Sequence, residues 1–116
     1  MEIRQRTVDE VAIIDLKGKL TLGDGELLRE QVNSLIQQGQ NRIVLNLAEV
    51  PYMDSSGLGE VARAHSVVLR NGGRLNVLRP TPRVRDLFRV TKIERILEAF
   101  DSEADAVRSC SASTGS

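Results

Sequence analysis

Residues 42–70 read RIVLNLAEVPYMDSSGLGEVARAHSVVLR, and the stretch changes physical period partway along. Ile43, Val44, Leu45 and Leu47 form a short, nearly continuous apolar run, suited to a strand covered on both faces in a parallel sheet. Leu58, Val61, Ala62, His65, Val68 and Leu69 then recur on one helical stripe, which Asn71, Gly72 and Gly73 bring to an end. Between strand and helix lies Asp54, Ser55, Ser56, Gly57, Leu58, Gly59, which sets two hydroxyls at a helix start.

The same alternation extends in both directions. Upstream, residues 2–7 and 11–17 are β-branched extended segments joined by the polar turn Val8, Asp9, Glu10, an antiparallel hairpin in which Val11, Ala12, Ile13 and Ile14 are expected to be buried on both faces. Gly18 opens a connection through Leu20, Thr21, Leu22, Gly23 and Asp24 to a helix carrying Leu28, Val32, Leu35 and Ile36, with Gly39 as its stop. Downstream, Leu75, Val77 and Leu78 follow as a strand. Thr81 and Pro82 form an N-cap and first-position pair opening a short helix, with Val84, Leu87 and Phe88 inward. Lys92 to Arg95 reads as a turn, Ile96 to Phe100 as a last strand and Ser102 to Arg108 as a last helix. The order predicts α/β packing, with a mixed, mostly parallel sheet of four to five strands opened by a β-hairpin and about four helices. Binding surfaces in such folds lie at strand carboxyl ends, and the Ser55 loop follows one.

Composition narrows the function. At 116 residues, 41% hydrophobic and 28% charged, the chain suits one packed domain. Sixteen basic residues balance sixteen acidic ones with no Lys/Arg run, which argues against nucleic acid, and Tyr52, Phe88 and Phe100 leave few platforms for stacking bases. A single cysteine, Cys110, and a single histidine, His65, give no basis for a disulfide or a multi-Cys or His-pair metal site, so neither metal nor other cofactor is expected. No signal-like N-terminus or membrane-length apolar run is present, so the expectation is a cytoplasmic protein with no direct membrane insertion.

The loop admits several chemistries. A helix start has free N–H groups and partial positive charge, so it favours side-chain oxygens or phosphate, and Asp and Ser are also ordinary N-caps. Two glycines in the first turns cost ~1 kcal/mol each relative to alanine, so capping alone does not account for them. Either another surface docks closely at Gly57 and Gly59, or the protein's own backbone does. Gly57 to Ala62 spells G-x-G-x-x-A, but Asp54, Ser55 and Ser56 interrupt the tight turn and no acid occurs in Arg74 to Arg79, so a dinucleotide site is rejected. Ser55 as a nucleophile lacks G-x-S-x-G flanks, and its only imidazole, His65, falls in the apolar stripe, so no catalytic residue is assigned. Cys110 reads as an incidental small apolar residue.

Ile43 to Leu47 followed by Tyr52, Met53, Asp54, Ser55, Ser56, Gly57, Leu58 and Gly59 resembles the STAS domain of bacterial anti-sigma factor antagonists. Leu16, Lys17, Gly18, then Gly72, Gly73, and then Val84 to Phe88 are similar in order and spacing, so the resemblance covers about residues 3–108. It implies a STAS domain over residues 1–110 with a flexible tail at 111–116. It further implies a non-enzymatic, monomeric or weakly dimeric protein that binds an anti-sigma factor with serine kinase activity and frees a sigma factor. The first Ser after Asp is the phosphorylated one in that family, which carries over to Ser55, with a serine phosphatase as the resetting partner. Asp54, Ser56, Gly57, Leu58 and Gly59 then belong to the switch and partner-binding loop, together with Thr21 and Asp24. In the family's Gly-x-Leu-Asp pattern this chain has Thr21 in place of Asp, and Asp24 is the acid nearby. The alternative is a non-switching STAS interaction module, in a stress-signalling scaffold or a lipid or anion transport complex.

Overall fold

The computed structural model describes residues 1–112. Strands β1 (Glu2–Val8) and β2 (Val11–Lys17) form the expected antiparallel hairpin, with Val8 opposite Val11. Asp9 and Glu10 turn it in the left-handed region, at φ of 50° and 67°, as a two-residue hairpin turn requires. Gln40 Nε2 donates to the Glu10 carbonyl at 3.0 Å and fixes the strained residue.

Helix α1 (Gly25–Gln37), strand β3 (Arg42–Glu49), helix α2 (Ser55–Arg70) and strand β4 (Arg74–Leu78) follow. Then come helix α3 (Pro82–Val90), a single 3-10 turn at Ile93–Arg95, strand β5 (Ala99–Phe100) and helix α4 (Glu103–Ala112). The five strands lie in sequence order, parallel from β2 onward.

Alternation along β2 divides the core in two. Ala12, Ile14 and Leu16 join Leu28, Val32 and Leu35 of α1 and Val61, Ala64 and Val68 of α2 in the larger cluster. Val11 and Ile13 point the other way and pack with Val44, Leu78 and residues Ala106, Val107 and Cys110 of α4. This two-sided burial is what the run Val11 to Ile14 requires, and all four are 1% exposed or less.

Four local expectations change. The last strand is two residues long instead of running from Ile96. Ile96 and Leu97 donate their amides to the Ile93 carbonyl at 3.0 and 2.9 Å, which curls the chain and buries Leu97. Leu69 is 51% exposed, because the buried line of α2 runs Gly57, Val61, Ala64, Val68 and Leu69 falls beside it, at the rim of a cleft it shares with Ile96 and Glu98. Thr81 precedes α3 in an extended conformation but does not cap it; its hydroxyl donates to the Val50 carbonyl at 2.9 Å. The last helix begins at Glu103 and continues to Ala112, so it includes the first two positions assigned to the tail, while the rest of that expectation, residues 113–116, lies outside the described residues.

Candidate functional site

After β2 and β3 leave the sheet, their connections stay side by side. Leu20 and Met53 form a parallel bridge, the Leu20 amide donates to the Tyr52 carbonyl at 3.0 Å, and the Asp54 amide donates to the Leu20 carbonyl at 3.3 Å. The loop before α1 is thereby carried to the start of α2, and Thr21, Asp24 and the Asp54 to Gly59 run meet at one end of the molecule.

Asp54 holds the junction. It is the N-cap of α2, extended at φ −96° and ψ −177°, and one carboxylate oxygen accepts the Gly57 amide at 2.8 Å. The other oxygen accepts the Leu22 amide at 3.1 Å, so one side chain both caps the helix and clamps the neighbouring loop. Asp24, in contrast, makes no cap bond for α1. Its carboxylate turns back to accept the Thr21 amide at 3.1 Å and the Thr21 hydroxyl at 2.9 Å, and those bonds lower its pKa from the ordinary carboxylate value. Thr21 and Asp24 thus form one polar pair, with a carboxylate beside the position where the family pattern has its acid.

The two glycines separate. A Cβ on Gly57 falls 2.2 Å from the Leu20 carbonyl oxygen, so its missing side chain is required by the chain's own backbone. A Cβ on Gly59 meets nothing within 4 Å, and that exposed position leaves a bare patch on the helix surface.

Ser55 is the first residue of α2 and is exposed, and its hydroxyl has no hydrogen-bond partner among the described residues. Its amide and that of Ser56 lie in the first turn, where no intrahelical acceptor exists. Ser56 faces a shallow cleft of about 320 Å³ lined by Thr21, Leu22, Gly25, Arg29 and Glu60, with Arg29 and Glu60 ion-paired across it. Leu58 is half-buried behind this face.

His65 is ten residues along the same helix, ~15 Å of rise from Ser55, so it cannot serve that hydroxyl as a base. It is buried, and burial together with the Arg74 charge lowers its pKa. Cys110 is on the face of α4 that packs on the sheet, its thiol pushed up to about 11 by burial, which leaves little of its nucleophilic form at neutral pH.

Two features of this end were not expected from sequence. Leu22 is 82% exposed although its backbone is clamped by Asp54, and a leucine between turn residues Thr21 and Gly23 was the only available signal. Arg83 of α3 lies over the Tyr52 ring at 5.2 Å from its centroid, a pairing between residues 31 positions apart that has no local signature.

The STAS domain family model matches residues 2–106. The anti-sigma F factor antagonist of Paenibacillus polymyxa is 32% identical over 98 residues, spanning 84% of either chain. The solved Thermotoga maritima protein TM1081 superimposes with a TM-score of 0.88 at 24% identity over 94% of both chains, a likeness of fold. The Bacillus cell fate determinant SpoIIAA in its phosphorylated form gives 0.72 at 27% identity, covering 92% of this chain and 97% of that one.

Proposed function

The chain belongs to the STAS domain family, and from that premise we propose that it is an anti-sigma factor antagonist switched at Ser55. The unmodified form binds an anti-sigma factor with serine kinase activity and releases the sigma factor. Transfer of the γ-phosphoryl group from ATP to Ser55 Oγ, with loss of the hydroxyl proton and release of ADP, ends that binding. A serine phosphatase restores the hydroxyl by hydrolysis.

The observation that carries this reading is the presentation of Ser55: exposed, without a hydrogen-bond partner among the described residues, and at the start of a helix whose cap is already supplied by Asp54. A phosphate there adds a charge of ~−1.5 to −2 beside free amides and the positive end of the helix dipole, so the domain tolerates it. The partner complex does not. A charge left unpaired in an interface of ~800 Å² per partner costs ~2–5 kcal/mol, which is ~30-fold to several-thousand-fold in affinity. Leu22, Gly59 and the cleft at Ser56 supply the apolar, bare and polar parts of the contact face around the switch.

The test is to use the unmodified chain and its Ser55→Asp variant as baits, identify the captured anti-sigma factor by mass spectrometry, and incubate it with the chain and ATP. Phosphate on Ser55 and loss of capture by Ser55→Asp support the switch. Phosphate elsewhere, or equal capture by both baits, overturns it, and equal capture is the outcome a non-switching module predicts.

A further inference from the structure

The charge of the chain is balanced overall but not in space. Residues 79–95 contain Arg79, Arg83, Arg85, Arg89, Lys92 and Arg95 against Asp86 and Glu94, a net +4 in a chain whose total is zero. All eight are exposed. Within the segment Arg89 engages Asp86 at 2.7 Å; from outside it, the Asp101 carboxylate offsets one charge of the excess by engaging Arg85 at 3.1 Å, and its backbone carbonyl accepts from Arg79 Nε at 2.8 Å. Arg83, Lys92 and Arg95 have no carboxylate partner among the described residues.

At its Arg83 end this basic surface adjoins the switch, and it runs from there along α3 to Lys92 and Arg95. Val84 and Phe88 bury the inner side of α3, and the Thr81 hydroxyl ties its start to Val50, in the connection that leads to Ser55. Arg83 lies over Tyr52, two residues before Asp54. A guanidinium seated over a ring has lost part of its rotamer freedom, and with no carboxylate partner among the described residues it keeps N–H donors to offer one. Val90, 76% exposed, adds an apolar contact on the outer side of the helix.

We propose that α3 and the turn after it form a second docking surface, continuous with the Ser55 loop, for an acidic face of the anti-sigma factor. The inference rests on the proposed function and extends it, with Arg83, Lys92 and Arg95 steering the encounter and Ser55 deciding whether it persists. An acidic protein fits better than a phosphate backbone. Asp86 and Glu94 interrupt the basic surface and repel a continuous phosphate array, and the only exposed aromatic ring at this end is already covered by Arg83.

The experiment measures association and dissociation rates between the chain and the captured anti-sigma factor from 50 to 500 mM NaCl. The wild type is compared with Arg83→Glu/Lys92→Glu/Arg95→Glu, the corresponding triple Gln variant and Ser55→Asp. The expected result is an association rate at low salt at least ~10-fold slower in the Glu variant, intermediate in the Gln variant, with a flattened salt dependence. Dissociation stays within a few-fold of wild type, and the Gln variant alone suffices if the Glu variant does not fold. Unchanged association rates in a folded variant overturn the α3 inference, while release by Ser55→Asp in the same series leaves the switch standing. No binding by the wild-type chain at any salt overturns both. A 20-base-pair DNA duplex and phosphatidylserine vesicles are run in parallel; tight binding to either that is lost in the Gln variant overturns the acidic-protein assignment.

Discussion

Gly57 and Gly59 stand two residues apart at the start of α2, yet alanine at each is expected to move stability in opposite directions. A Cβ on Gly57 lies 2.2 Å from the Leu20 carbonyl oxygen and 2.9 Å from Leu20 Cγ, and relief requires a displacement of about 1 Å to regain ordinary contact. The Leu20 carbonyl is the acceptor for the Asp54 amide, so the shift strains the bond that joins the two loops. Overpacking against a backbone atom, which cannot swing aside, costs ~2–3 kcal/mol and a weakened hydrogen bond up to ~1, while the better helix propensity of alanine returns ~1, leaving a net loss of about 1–3 kcal/mol. At Gly59 nothing lies within 4 Å, so only the propensity gain of ~0.5–1 kcal/mol remains. For a domain of this size the midpoint of thermal unfolding falls by about 5–15 °C in Gly57→Ala and rises by about 2–5 °C in Gly59→Ala. Urea titration followed by circular dichroism measures both. Equal stability of Gly57→Ala and wild type, or the same sign for both variants, refutes the division of the glycines into one required by packing and one left bare. If Gly59 faces the partner, its alanine variant is at once more stable and a weaker binder.

Three further outcomes follow from the geometry. Asp54→Ala removes the N-cap and the clamp on Leu22 together and is expected to lose about 1–3 kcal/mol by urea titration, more than Asp24→Ala, whose carboxylate caps no helix. Arg6 bridges Asp15 of β2 and Glu103 of α4 and lowers both carboxyl pKa values, so their contribution is present above the ordinary carboxylate range and is lost as pH falls below about 4. Arg6→Gln therefore flattens the acid limb of a stability-versus-pH curve, by an amount on the order of 1 kcal/mol after solvent screening, and an unchanged limb counts against the bridge. Glu10→Gly relieves a left-handed residue in the hairpin and is expected to be neutral or up to about 1 kcal/mol more stable, whereas Glu10→Val, measured in the same titration, is less stable.

Where the sequence was decisive, one physical cause dominated. Val11 to Ile14 and Ile43 to Leu47 are too nearly apolar to face water on either side, and that alone marked β2 and β3 as strands covered on both faces of the sheet. Ile96 to Phe100 looked similar, but hydrogen bonds to Ile93 curl its first residues, a competition between neighbours that composition does not display. The switch loop was visible as a list of residues and not as a junction. Asp54 was legible as a cap, whereas its second bond, to Leu22, depends on two connections running side by side. Gly57 and Gly59 look alike in sequence because only the Leu20 carbonyl distinguishes them. Thr81 carried a capping signal that tertiary structure redirected to Val50.

The division of the core has a consequence for the order in which the chain matures. The second face of the sheet, with Val11, Ile13, Val44 and Leu78, is covered by Ala106, Val107 and Cys110 of α4, and α4 follows every strand in the chain. During synthesis the sheet can therefore assemble, with α1 and α2 already against its first face, while its second face is still bare. Until α4 emerges and closes down, the nascent domain carries an adhesive apolar surface, and this is the interval in which it most needs the protection of a chaperone. Arg6 gives the incoming helix a polar latch at Glu103, its first residue, so closure can begin from the end of α4 that leaves the ribosome first.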